Sequence, residues 1–349
     1  MALEVTGNAQ NPFIQVAVLL HMLDPVRGEP IAHSLDRDPN EIETPRERLL
    51  KRKFLESFAL ICAIRKDGDT VSAACMEEGM PEGTVVRVAS NHGVSESTLQ
   101  GLRNLMDILN NVASGTFNPS AGESEVLTRI IQLDIAKIRS YLKELRSVND
   151  IHEESVIGLE SRMAGSTCSP SNQSPFETFA KWFANILAIK ALPADSTPES
   201  LVDHILWALE AKRTHLTCLR TAFSADKHNL PRWIYAIFKL GRYAIAARAL
   251  LQLASEVPSL FSPMLAEPVT APARTQFGFS QGEMPLTYVL RRIVGSREEE
   301  YVSRLARVWN VPDPETHFRN ACSLNLSVHA EVQLITVGCW TSRSTGSDT

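Results

Sequence analysis

The 349-residue chain lacks the sequence patterns of several common protein classes. Its six cysteines stand singly, without the close spacing of a secreted disulfide framework, so we interpret them as reduced thiols. No stretch approaches the roughly eighteen uninterrupted apolar residues of a membrane span, and the start of the chain lacks the pattern of a signal peptide. These absences predict a cytoplasmic or nuclear protein with no membrane partner.

The chain also has no excess of positive charge and none of the common nucleotide-binding motifs. The net charge of -5 and the pI of about 6.0 give no support for tight non-specific binding to a phosphate backbone. The most basic run, Lys51-Arg52-Lys53, falls on a predicted helix and is interpreted as solvated surface. The chain contains no G-x-x-x-x-G-K-[ST], G-x-G-x-x-G, H-E-x-x-H or G-x-S-x-G string, so the corresponding enzyme classes lack their usual sequence support.

Length and composition indicate a packed protein of several parts. Hydrophobic residues make up 44% of the chain and charged residues 21%, which is typical of globular proteins. Changes in composition predict an N-terminal helical region with a β-hairpin over 1–164, a linker over 165–175, a helical middle region over 176–257, a Pro-rich linker over 258–283 and a C-terminal segment over 284–349.

Helical patterns cover most of the chain. Apolar residues three or four positions apart predict helices over 11–24, from Ser95 to about Gly115 and over 123–148. The string Thr44-Pro45-Arg46-Glu47 predicts another helix start, with that helix ending near Phe58. Two further helical stretches are predicted over 286–294 and 297–309. We therefore predict a mainly α fold.

A small β-structure is predicted within 58–90. The apolar run FALICAI (58–64) and the run TVSAACM (70–76) suggest two strands, and Asp67-Gly68 between them is typical of a hairpin turn. Residues 84–89 (TVVRVA) add a third predicted strand. The fold class is thus mainly α, of the α+β kind, with a hairpin or meander near 58–90.

The middle region is predicted to be entirely helical. The aromatic residues Trp182, Phe183, Trp207, Trp233 and Tyr235 fall in apolar helices and are interpreted as core residues, not as a platform for stacking bases. The segment 230–258 superficially resembles a two-helix tetratricopeptide unit, but no second copy follows at a fixed period, so a plain helical hairpin is expected. A non-catalytic protein-interaction scaffold, with a protein partner bound through this helical middle region, nevertheless remains the alternative function.

The tripeptide His329-Ala330-Glu331 is the feature with the most chemical content. Zinc deaminases need a metal ligand to hold the attacking hydroxide and a non-ligand carboxylate to move protons to the ring and to the departing ammonia. A His-x-Glu tripeptide at the start of a helix supplies one residue for each role. A partly desolvated carboxylate would suit proton transfer best.

The residues around this tripeptide extend the pattern. The string SVHAEVQLI (327–335) resembles the H-A-E-[VIM]-Q-L string of a zinc-dependent nucleic-acid/nucleotide deaminase family, much expanded in filamentous fungi and named for a bacterial Orientia protein. The string at 66–94 is similar to the N-terminal region of those fungal proteins. The resemblance implies a C-terminal α/β segment, His329 as zinc ligand, Glu331 as catalytic proton shuttle, and a nucleotide or nucleic-acid base as substrate.

The chain departs from the family pattern after Glu331. The family signature requires a later Cys-x-x-Cys, whereas the last eighteen residues contain only Cys339. A catalytic zinc site normally has three protein ligands, so we expect no zinc and no activity from the chain as written. Cys322 precedes the tripeptide, where the family offers no ligand, and is interpreted as a buried thiol.

Two explanations of this departure stay open. The chain is either truncated, naturally or through an error of gene prediction, or it resembles the family by chance and His329 caps or packs against a structural helix. The first is favoured because the similarity at 66–94 is independent of the tripeptide. We also hypothesise that the predicted hairpin belongs to the deaminase sheet, with the helical regions as a long insertion before the His329 helix.

Overall fold

A computed structural model describes residues 10–24, 44–148, 175–223, 230–326 and 328–336. These residues are mainly helical with a small mixed sheet, which confirms the predicted fold class. They form two compact units. The larger unit contains the described residues of 43–271 and 333–336, and the smaller unit contains those of 10–24 and 272–332. None of the described helices is long and apolar enough to cross a membrane.

Capping residues set the start of several helices in the larger unit. The Thr44 hydroxyl accepts a hydrogen bond from the Glu47 amide at 3.2 Å, and Ser95 does the same for the amide of Thr98. In chain order, after α1 (Gln10–Leu23) of the smaller unit, the helices are α2 (Pro45–Cys62), α3 (Glu96–Ala113), α4 (Pro119–Leu133), α5 (Ile135–Arg146), α6 (Pro175–Ala191), α7 (Pro198–Arg213), α8 (Leu216–Phe223) and α9 (Arg232–Glu256).

The larger unit contains a three-stranded sheet. β1 (Ser72–Met80) and β2 (Gly83–Ser90) form an antiparallel hairpin, and β3 (Met264–Pro268) pairs in parallel with β2. The side chains of Val86 and Val88 belong to the hydrophobic core, and α2 and α3 pack against the sheet. Arg87 in the central strand forms ion pairs with Glu77 of β1 at 2.8 Å and Glu267 of β3 at 2.7 Å, which links all three strands.

The prediction of a strand over 58–64 is wrong, because α2 continues to Cys62. Phe54, Phe58 and Ile61 are fully buried at helical spacing, and the periodicity of so short an apolar run does not separate a strand from a buried helix. The hairpin therefore joins β1 to the strand predicted over 84–89, and its turn is Pro81-Glu82 instead of Asp67-Gly68.

Two other segments differ from the sequence prediction. The single helix expected over 123–148 is interrupted at Asp134, whose backbone angles of φ -98° and ψ 15° separate α4 from α5. The stretch 258–283, expected to be irregular, contains a short 3₁₀-helix (Pro258–Phe261), β3 and β4 (Thr275–Phe277). The linker predicted over 165–175 lies, up to residue 174, outside the described residues.

One continuous helix, α9, replaces the helical hairpin predicted over 230–258. It packs against α2, α3, α4, α5 and α7, so it forms the centre of the helical core. Gly241 lies midway along α9, where an added Cβ would come within 2.7 Å of the Ala208 carbonyl oxygen in α7. The Leu-Gly pair that suggested a repeat unit therefore marks a close crossing between two helices, not a turn.

The aromatic residues of the middle region mostly pack as predicted. Trp182 and Phe183 are buried, and the rings of Trp182 and Trp207 stack at 4.8 Å while each indole N–H donates to the backbone carbonyl of the other residue. Trp233 is partly buried against the core. The prediction for Tyr235 is wrong, because 43% of this residue is exposed.

The smaller unit is built around α10 (Pro285–Val294), which packs against α1, α11 (Glu298–Trp309) and α12 (Pro314–Ala321). A two-stranded antiparallel sheet joins β4 to β5 (Leu324–Leu326). The Glu315 carboxylate is buried and accepts hydrogen bonds from the backbone amides of Leu286 and Thr287 at 2.8 and 3.1 Å. This side chain satisfies two of the free amides at the start of α10.

Candidate functional site

The segment that follows His329 forms a short helix. Residues 330–336 are helical, and His329 directly precedes them. Ala330, Gln333 and Leu334 are buried and recur at a spacing of three and one residues, so they occupy one face of the helix. The sequence Ala-Glu-Val-Gln-Leu contains several strong helix formers, which accounts for the local structure.

Gln333 attaches its part of this segment to the sheet of the larger unit. Its side-chain amide nitrogen, Nε2, donates a hydrogen bond of 3.1 Å to the backbone carbonyl of Ser90, the last residue of β2, and the bond is buried. The end of β2 is itself held in place, since the Ser90 hydroxyl donates to the backbone carbonyl of Asp69 at 3.2 Å and the Asn91 side-chain amide donates to the backbone carbonyl of Gly68 at 2.9 Å. A buried hydrogen bond of this kind fixes the position of Gln333 relative to the hairpin.

The two residues assigned chemical roles by resemblance are both exposed. His329 lies just before the helix, and Glu331 lies in its first turn, two residues before Gln333. Their side chains are accessible to solvent, so Glu331 does not have the partly desolvated surroundings that best suit a catalytic proton carrier.

The described residues do not complete a zinc site around His329. No group of three or more His, Cys, Asp or Glu side chains suited to a metal ion occurs in the part of the chain that the structure describes. Zinc bound for catalysis normally takes three protein ligands, so His329 and its described neighbours do not fit this metal by themselves. Cys339 lies outside the described residues.

The position of Cys322 supports its interpretation as a buried thiol. It is fully buried in the core of the smaller unit, in a cluster with Leu286, Val289 and Phe318. Burial, together with the nearby Glu315 carboxylate, raises the pKa of its thiol to about 11. A thiol that stays protonated at neutral pH is a poor metal ligand, because the thiolate is the form that binds metal. The described cysteines Cys62, Cys75, Cys218 and Cys322 are all free.

Gln333 is the residue whose role sequence reasoning missed. The string Val332-Gln333-Leu334 contributed to the family resemblance, but no structural role was assigned to the amide. A polar residue inside an apolar helical run was the available signal, since such a residue is either exposed or hydrogen-bonded when buried. Its partner, Ser90, lies 243 positions away in sequence, so only the structure identifies it.

Comparison with known proteins provides no assignment. No family model matches the chain, and neither the curated proteins nor the solved structures contain a match.

Proposed function

We propose that residues 328–336 carry the His-x-Glu half of a nucleic-acid or nucleotide deaminase site, with His329 as the metal ligand and Glu331 as the proton shuttle. The supporting observation is the buried hydrogen bond from Gln333 to Ser90. It links Gln333 of the string at 327–335 to Ser90 of the string at 66–94, two strings that independently resemble the same deaminase family. Two fortuitous resemblances so far apart in sequence would have no reason to meet in the fold.

The proposed chemistry is hydrolytic removal of an amino group from a base in a nucleotide or nucleic acid. It would need two further metal ligands, for which the family uses a pair of cysteine thiolates. Because the described residues do not supply them, we propose a half-site that does not act alone. We also propose that the protein resides in the cytoplasm or nucleus, where free thiols are common.

Zinc content measured by mass spectrometry tests this proposal. The purified chain should contain less than one zinc per molecule. A chain extended by a Cys-x-x-Cys segment encoded downstream should bind one zinc and release ammonia from nucleosides or polynucleotides. His329→Ala should abolish zinc binding by the extended chain, whereas His92→Ala, which changes an exposed histidine in the larger unit, should not.

Three results would contradict the proposal. Zinc binding unaffected by His329→Ala would show that His329 is not a ligand. An extended chain without zinc would show that the two halves do not form one site. Stoichiometric zinc in the unextended chain would show that the site is already complete.

The anchoring role of Gln333 has a separate test. Gln333→Leu removes one of the two donors to the Ser90 carbonyl, which keeps its bond from the Gly93 amide, and should destabilise the attachment by about 0.5–1.5 kcal/mol. Hydrogen exchange of the amides in 330–336 should accelerate, whereas Gln100→Leu on the exposed face of α3 should leave those rates unchanged. Equal exchange rates in the Gln333→Leu variant and the wild type would show that the hydrogen bond does not hold this segment.

A protein-interaction role of the helical middle region is a second proposal. It is supported by the side of α9 that faces solvent, where apolar and basic residues are exposed together. Tyr235 is 43% exposed and Ile245 is 52% exposed, although both lie on a helix whose other side forms the core of the larger unit. Exposed apolar residues grouped on one surface are typical of interaction sites.

A further inference from the structure

The charged residues of α9 are almost all basic. Arg232, Lys239, Arg242 and Arg248 are exposed along it, and its one acidic residue, Glu256, is its last. This local excess contrasts with the net charge of -5 of the whole chain. Arg248 pairs with Glu123 at 2.7 Å, so Arg232, Lys239 and Arg242 form the local cationic surface on α9.

A groove lies beside this surface, between α2, α7 and α9. It has a volume of about 310 Å³ and is lined by the apolar side chains of Leu60, Phe238 and Ile245 and by the basic side chains of Lys212 and Arg242. We call it the basic groove. Phe238 and Ile245 are seven residues apart on one side of α9, a separation of about 10 Å along the helix axis.

The two basic residues of the groove are not neutralised by ion pairs. Neither Lys212 nor Arg242 forms a salt bridge with any residue in the described ranges. The groove contains one acidic side chain, Glu56, which pairs with Arg52 at 3.8 Å. The basic groove thus keeps a net positive charge that a bound acidic group could complement.

Lys66 lies close to two of the basic residues of α9. The pKa of Lys66 is lowered, first by partial burial and then by the positive charges of Lys239 and Arg232. Lys66 and Lys239 each lie 5.4 Å from the centre of the Tyr141 ring, so one aromatic ring interacts with two cations. Lys66 already forms an ion pair with Glu144, so Lys239 and Arg232 are the cations here that a negatively charged partner could complement.

We propose that the basic groove binds an acidic amphipathic helix of a partner protein. This inference rests on the protein-interaction role proposed above and is independent of the His329 half-site. Apolar residues of such a helix at positions i, i+3 or i+4, and i+7 match the two-turn spacing of Phe238 and Ile245. Its carboxylates would lie near Lys212 and Arg242. The aliphatic Leu60 and Ile245 favour apolar side chains over stacked bases, which need flat aromatic faces.

Fluorescence anisotropy with the full chain tests the proposal. The probe is a labelled peptide of about eighteen residues with leucine at i, i+3, i+4 and i+7 and glutamate on both flanks. A second peptide has glutamine in place of glutamate, and a third ligand is a single-stranded oligothymidylate. The protein variants are Ile245→Glu, the double variant Lys212→Glu/Arg242→Glu, and the control Arg103→Glu on α3, outside the groove.

The acidic peptide should bind the wild type and the Arg103→Glu control equally. The double variant should bind it about tenfold more weakly, because two attractive pairs become repulsive, and Ile245→Glu should weaken it similarly. A fourth ligand, the same peptide with lysine in place of glutamate, should bind the double variant more tightly than the wild type. Unchanged helical content and thermal unfolding would confirm that these surface changes leave the fold intact.

Other outcomes overturn the inference in distinguishable ways. Equal binding of the acidic and glutamine peptides would retain a protein-binding groove but exclude an acidic partner. Binding of the oligothymidylate, with neither peptide bound, would assign the surface to nucleic acid. Acidic-peptide binding unchanged by all groove substitutions would place the interaction elsewhere on the chain. None of these results depends on zinc or on His329.

Discussion

Replacement of Asp134 by asparagine should make the larger unit more stable at neutral and alkaline pH. Asp134 lies between α4 and α5 and is completely buried. Its carboxylate oxygens and the buried Tyr243 hydroxyl form no hydrogen bond of ordinary geometry with any residue the structure describes. Burial raises the pKa of Asp134 to about 7, although the nearby Lys137 ammonium and the Tyr243 hydroxyl oppose the rise. The folded chain therefore keeps this carboxyl group protonated in weakly acidic solution.

The size of the effect follows from the difference between the folded and unfolded pKa values. A pKa of about 7 in the folded state against 3.8 in the unfolded chain is a difference of about three units, or about 4 kcal/mol. The folded state holds the proton more tightly, so the stabilisation is complete below pH 3.8 and is lost as the pH rises to about 7. This loss is a large part of the roughly 5–15 kcal/mol that stabilises a typical domain.

Urea unfolding followed by tryptophan fluorescence between pH 4 and pH 8 measures this effect. Asp134→Asn carries no charge at any pH, so its advantage over the wild type should grow with pH to at most about 4 kcal/mol. Asp107→Asn, which changes an exposed aspartate on α3, should follow the wild type. Burial lowers the pKa values of the half-buried His204 and the buried His215, which also titrate, but the difference between variant and wild type removes their contribution. A constant difference across this pH range would refute the assignment.

Two further substitutions test packing and capping. Gly241→Ala should destabilise the larger unit by about 1–3 kcal/mol, because its Cβ would press against the Ala208 carbonyl oxygen. The measurement is a urea titration. Gly278→Ala serves as the control, because open space surrounds Gly278. Glu315→Gln should cost the smaller unit about 1–3 kcal/mol by weakening its hydrogen bonds to the start of α10, and faster hydrogen exchange at the Thr287 amide would show it. Unchanged midpoints or exchange rates would contradict these assignments.

Local signals in the sequence predicted the elements that depend on local interactions. The start of α3 follows from the Ser95 cap, its buried side from leucines three or four residues apart, and its end from Gly115, which adopts a φ of +75°. All these features involve residues within one or two helical turns of each other. A single sequence is sufficient to recognise them.

Features that depend on distant partners were not predictable in this way. The strand expected over 58–64 became part of a helix because α2 packs its apolar side against α9. β3 pairs with β2 across roughly 180 residues, and its short proline-flanked sequence gives no sign of that partner. The candidate site also combines features that local sequence predicts with a contact that it does not. The sequence identified His329 and Glu331, but the link from Gln333 to the hairpin required the folded structure.

The parallel pairing of β2 and β3 has a consequence for biosynthesis. The described residues between these strands include α3 to α9, so the ribosome releases all of these helices before the third strand of the sheet emerges. Until Met264–Pro268 is available, β2 presents a free hydrogen-bonding edge. Contacts between residues so far apart slow folding and prolong the life of partly folded chains. Nascent chains stalled before Met264 should therefore aggregate more readily than chains that extend past Pro268.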